Sequence, residues 1–193
     1  MFVLKKLSEK LEFHEQTSII INSIGIIYWQ QGNPNQALLL YSENLALIKR
    51  TGIKGDLAAS YNNIGLAYRQ LNQLKRAVAF YTKSLQMCIA NNDYRSQANA
   101  YNNLGTIYQL EGNYMKALYY HNKSLEIRMN VGDSIGISMS LGNMGFTNLE
   151  LRNYEGAYNN LIRAYGISKR LNDPEGVKET SEGLSRYYEI MNH

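Results

Sequence analysis

Cysteine is nearly absent: Cys88 is the single one in 193 residues. It can close no internal disulfide, which excludes a stapled secreted scaffold and is compatible with a reducing compartment. Proline occurs twice and glycine at an ordinary 15, which excludes collagen-like and proline-rich classes. No apolar run approaches the length of a membrane span; Ile19-Ile20-Ile21 is cut at Asn22. The start, Met1 to Lys6, lacks a signal-peptide core and cleavage site, so a cytoplasmic location is favoured. The three histidines, His14, His121 and His193, fall in separate segments, and the motifs of zinc sites, P-loops and serine nucleophiles are missing. No catalytic residue, no metal site and no cofactor is therefore expected, and the chain reads as a non-enzyme. The net charge, +4, is small, and nothing in it calls for nucleic acid or a membrane surface.

What is present is core material and a repeat. Apolar residues make up 45% and charged residues 19%, enough for a packed interior. Charge is uneven: Lys49 to Arg128 holds eleven basic and four acidic residues, whereas Asp173 onward holds five acidic and two basic. Tyrosine is over-represented at 16 against 4 phenylalanines. The segment Tyr61-Asn62-Asn63-Ile64-Gly65-Leu66-Ala67-Tyr68 returns forty residues later as Tyr101-Asn102-Asn103-Leu104-Gly105-Thr106-Ile107-Tyr108. Related segments stand forty residues earlier, from Ile21, and again from Leu141. A second half keeps step through Ala37, Ala77, Ala117 and Ala157, then Tyr41, Tyr81, His121 and Leu161.

Each unit reads as two helices, because both halves place apolar residues at i, i+3, i+4 and i+7. Asp93, Asp133 and Asp173 are expected N-caps, with Pro174 at a first helical position. Glycine inside a helix costs about 1 kcal/mol relative to alanine. Its return at Gly25, Gly65, Gly105 and Gly145 predicts a close approach, with the alanines at 37, 77, 117 and 157 as the opposing surface. A helix pair of this kind cannot bury its own faces, so neighbours stack.

The pattern aromatic-x-x-aliphatic-Gly-x-x-Tyr, followed by Ala-x-x-x-aromatic, resembles the tetratricopeptide repeat. The forty-residue period is similar to the long-helix variety of kinesin light chain, Pins-like scaffolds and bacterial regulators. The fourth unit departs most, with Leu141, Asn148 and Leu161 at aromatic positions. The resemblance implies an all-α, right-handed superhelical solenoid of antiparallel helix pairs. The expected division is a half-unit at 1–13, units at about 19–56, 57–93, 94–133 and 134–173, and a terminal helix at 174–191. Leu7 falls in phase with Leu47, Met87, Ile127 and Ile167 of the second helices, so the chain reads as starting and stopping mid-unit; a fragment of a longer array is the favoured expectation, and self-association through open terminal helices is the other.

The resemblance also implies that first helices line a concave groove. Phase then assigns to it Asn22, Ser23, Trp29, Asn62, Asn63, Leu66, Arg69, Asn102, Asn103, Thr106, Asn143 and Phe146. A carboxamide offers both a donor and an acceptor, as a peptide backbone does. Recurrent asparagine on this face is the expectation for a non-catalytic scaffold that takes an extended or helical peptide segment. The other reading is a regulatory or sensory module of a larger bacterial signalling protein. The basic clamp by which co-chaperone members hold a terminal carboxylate is not matched, since Asn22, Asn62, Asn102, Ser23 and Ala59 stand at those phases. Trp29 is read equally as groove anchor or as packing between units, and the repeated tyrosines as core.

Overall fold

The computed structural model describes residues 2–53 and 56–192, with side chains at 10 and from 12 onward. Among these residues are nine α-helices and no strand: α1 (Phe2–Gln30), α2 (Pro34–Thr51), α3 (Leu57–Gln70), α4 (Leu74–Ala90), α5 (Tyr94–Leu110), α6 (Tyr114–Val131), α7 (Ser134–Glu150), α8 (Tyr154–Arg170) and α9 (Pro174–Met191). They form two compact units, Met1–Asn91 and Asn92–His193. In the first, α1 packs on α2, α2 on α3 and α3 on α4; in the second, α5 to α9 pack consecutively in the same way. First helices also touch across repeats, α1 with α3, α5 with α7 and α7 with α9. The expected half-unit 1–13 and the first helix of the next unit are one uninterrupted α1. The predicted register of Leu7 lies outside the described side chains.

The turns follow from backbone chemistry. A residue in the left-handed region stands at 32, 52, 72, 92, 112, 132, 152 and 172, one in every twenty. Gly or Asn fills seven of these sites, the residue types that visit this region at least cost. Arg152, at φ 57°, is the exception. The aspartates then restart the helices: Asp93 accepts from the Ser96 amide (3.1 Å), Asp133 from Gly136 (3.0 Å) and Asp173 from Gly176 (3.1 Å). Each such cap contributes about 1 kcal/mol. Asp56 caps α3 through the Ala59 amide at 2.8 Å, but three residues later in register than the others. As a result α3 has 14 residues where α5 and α7 have 17.

The recurrent glycines serve a different contact from the one expected. The opposing alanines are fully buried. What fills the space above each glycine, however, is the side chain four residues further along. A β-carbon on Gly25, Gly65, Gly105 or Gly145 would lie 2.5–2.6 Å from Tyr41, Tyr81, His121 or Leu161 respectively. A ring at three of these sites, and a leucine at the fourth, occupies the space that a β-carbon would take, so each needs the bare Cα that only glycine offers. Tyrosine abundance has a matching cause: Tyr68 stacks on Phe80 at 5.4 Å and Tyr108 on Tyr120 at 5.3 Å, between the two helices of one pair. Each such pair adds about 0.5–1.5 kcal/mol beyond the area it buries.

Candidate functional site

The asparagines expected in the groove bind one another. Asn63 donates to the Asn22 carbonyl at 2.9 Å, and Asn143 donates to the Asn102 carbonyl at 2.9 Å. Both pairs span 41 residues, one repeat plus one, so each bond ties a first helix to the next first helix of its unit. Asn62 donates to the Asn63 carbonyl at 3.4 Å, and neither Asn62 nor Asn103 is unpartnered. The carboxamides thus spend one side on joining repeats, at about 0.5–1.5 kcal/mol net per bond. Asn102 is the most committed: it is buried, and its carbonyl also lies 3.2 Å from Nδ1 of His121. That contact requires the Nδ1–H tautomer, assigned from the network. Burial, reinforced by the Arg128 charge, pulls the His121 pKa down to about 4.

Other predicted groove residues divide. Ser23 donates to its own helix at Ile19 (2.8 Å), and Thr106 to Asn102 (3.1 Å). Trp29 packs on the cluster of Ala37, Tyr41, Ile64 and Ala67, which favours the packing alternative for it. Leu66, Arg69 and Phe146 are half-buried. Of the twelve, Asn143 and Phe146 line one pocket, of about 200 Å³, between α7 and α9.

Two substitutions shape that pocket. In register, Gly142 replaces the acceptor Asn22 or Asn102, and Gly183 replaces the donor Asn63 or Asn143. No amide pair can form there. Ile135, Met139 and Phe146 provide an apolar wall, and Asp173, Glu175 and Glu179 line the other side. Partial burial first, and then Glu175, Asp173 and Glu182, push the Glu179 carboxyl above its usual range. Three carboxylates around one small pocket repel one another and favour a cation. The acidic excess after Asp173 was the available sequence signal for them; assigning groove residues by phase on α1, α3, α5 and α7 alone left α9 out.

Among the described residues no cluster of three metal-ligating side chains occurs, and no helix is long and apolar enough to cross a membrane. Cys88 is fully buried.

No curated protein matches the chain by sequence. Solved structures share its fold. BtubC (BKLC) from P. vanneervenii superposes with a TM-score of 0.73 at 23% identity, over 82% of this chain and 66% of that one. The putative kinesin light chain TPR-like repeats of Podosopora anserina give 0.70 at 16% identity, over 89% and 85%. A Rap protein complexed with Competence and Sporulation Factor gives 0.74 at 16% identity, over 84% of this chain and 46% of that one. The chain thus spans about two thirds of the first and under half of the third. The family model for the tetratricopeptide repeat matches residues 16–90 and 96–170, and the chain belongs to that family.

Proposed function

We propose that the chain is a non-catalytic protein-interaction scaffold. It takes an extended or helical segment of a partner along the first helices of its second unit, with a basic side chain of that segment seated between α7 and α9. The observation that carries this reading is the pocket in which Met139, Asn143 and Phe146 face Asp173, Glu175 and Glu179. An aliphatic stem fits the apolar wall and a terminal cation answers the carboxylates. The Rap protein of like fold holds a factor in its complex, which supports a ligand-binding role for such an array. Peptide display against the chain tests the reading. Selected peptides are expected to carry lysine or arginine beside an apolar residue, and to lose at least tenfold in affinity to Glu179→Gln or Phe146→Ala. Acidic selections, or affinity unchanged in both variants, would refute it.

A second reading concerns self-association. Ile20, Ile24 and Ile27 on α1 are 58%, 40% and 50% exposed. Their register counterparts Ser60, Ile64 and Ala67 are buried where α3 meets the preceding repeat. Pairing of this stripe with that of a second copy would cover it. Sedimentation should show concentration-dependent mass that Ile24→Lys abolishes; a strict monomer at high concentration excludes it.

A further inference from the structure

A second cavity, of about 310 Å³, lies wholly in the first unit where α1, α2 and α3 meet. Glu15, Ser18, Ile19 and Asn22 line it from α1, Asn44 and Ile48 from α2, and Asp56, Ala59 and Ser60 at the start of α3. The late N-cap borders it: α3 begins at Leu57, three positions later in register than α5 at Tyr94 and α7 at Ser134. Asn44 is 4% exposed, and its Oδ1 is buried with no donor. A buried amide oxygen left so costs about 1–3 kcal/mol, so an N–H that reached it would be held. Glu15 and Asp56 add two carboxylates, and none of the described residues that line the cavity is basic. Ile19, 66% exposed, stands at its mouth.

The second unit shows what such a junction holds. Eighty residues on, Arg128 replaces Ile48. Its guanidinium is buried where α5, α6 and α7 meet. It donates to the Gly136 carbonyl and to the Asn99 side chain (2.8 Å), and its Nε lies 4.0 Å from Asp133. Gly136 and Asn99 are the register counterparts of Asp56 and Ile19, and Asp133 that of Ile53, all three lining the first cavity. One junction is thus filled by the chain's own guanidinium. Its counterpart has Ile48 in place of that side chain, beside two carboxylates of its own, Glu15 and Asp56, and the bare acceptor of Asn44.

We infer that the cavity between α1, α2 and α3 is a receptor for a guanidinium from outside the chain, the side chain of an arginine on a bound partner. The ligand's cation pairs with Glu15 and Asp56, an N–H reaches Asn44 Oδ1, and Ile48 and Ile53 receive its methylene stem. Only the source of the guanidinium rests on the scaffold reading above; the slot itself stands on the geometry of the first unit.

The test uses two small probes, N-acetyl-arginine amide and its uncharged isostere N-acetyl-citrulline amide, titrated into the isotope-labelled full chain. The arginine probe is expected to shift the Asn44 side-chain amide and the backbone amides of Ala59 and Ser60. The citrulline probe and the Glu15→Gln variant should each bind at least tenfold more weakly. Ile48→Arg, which restores the residue of the second unit, should keep the fold and abolish binding by occupying the slot. Equal binding of the two probes would overturn the inference, as would shifts confined to other residues. Undiminished binding to a folded Ile48→Arg chain would do the same. Should Ile48→Arg not fold, the Glu15→Gln titration decides alone. Peptide binding lost in Glu179→Gln but not in Glu15→Gln would leave the scaffold reading standing without this slot. Probe binding at Asn44 with no peptide selected would leave the slot standing without that reading.

Discussion

Acid should loosen the second unit through one imidazole. His121 is fully buried, its Nδ1 faces Asn102, and its Nε2 has no partner. Desolvation, then the nearby Arg128 charge, lowers its pKa from 6.5 to about 4. An unfolded chain takes up a proton near 6.5 and the folded one refuses it until about 4. Between those values the unfolded state binds more protons, so stability rises with pH, is complete above the upper value and is lost on acidification. At about 1.36 kcal/mol per pH unit the full effect is on the order of 3 kcal/mol. Glu179, which keeps its proton to higher pH than usual in the folded state, works with the opposite sign. The decisive comparison is therefore with His121→Tyr, the residue found at 41 and 81. Urea midpoints measured from pH 7 to pH 4 should fall for the parent and fall much less for the variant. Parallel pH profiles would show that this imidazole is not what acid attacks.

Two further outcomes follow from backbone positions. Gly65→Ala places a methyl 2.6 Å from the buried ring of Tyr81 and should cost about 1–3 kcal/mol of stability. Gly166→Ala, with open space around its β-carbon in α8, should instead stabilise by about 0.5–1 kcal/mol; equal melting temperatures for the two variants would contradict the close-packing account. Arg152→Gly relieves a left-handed residue and should raise stability by about 1 kcal/mol in denaturant titrations; no gain would mean that its side chain offsets the backbone cost.

Much of the fold was legible because a forty-residue period registers helix faces, turns and caps together. Asp133 announced its cap, and His121 was recognisable as packing because it stands where Tyr41 and Tyr81 do. What escaped depends on side-chain reach. The glycines were matched to alanines by size, but a ring extends further and claims the space first. Asn63 and Asn22 lie on adjacent helices at an offset of one residue, and no property of a single helix reveals that they bond. Glu179 was missed because a pocket between repeats belongs to two sequence segments at once. The continuity of α1 has a similar origin, since nothing between positions 13 and 19 forces a helix to stop.

The turns from Gly32 onward, placed at a constant pitch and set by main-chain conformation, meter the spacing of the helices that follow. Losing or gaining a single residue inside a helix would rotate everything beyond it by about 100° and present the wrong side to both neighbours. Removing a whole forty would leave each surviving helix beside a surface of the kind it already fits. Evolution of such a chain should therefore proceed in entire modules, with length variants of one or two residues purged.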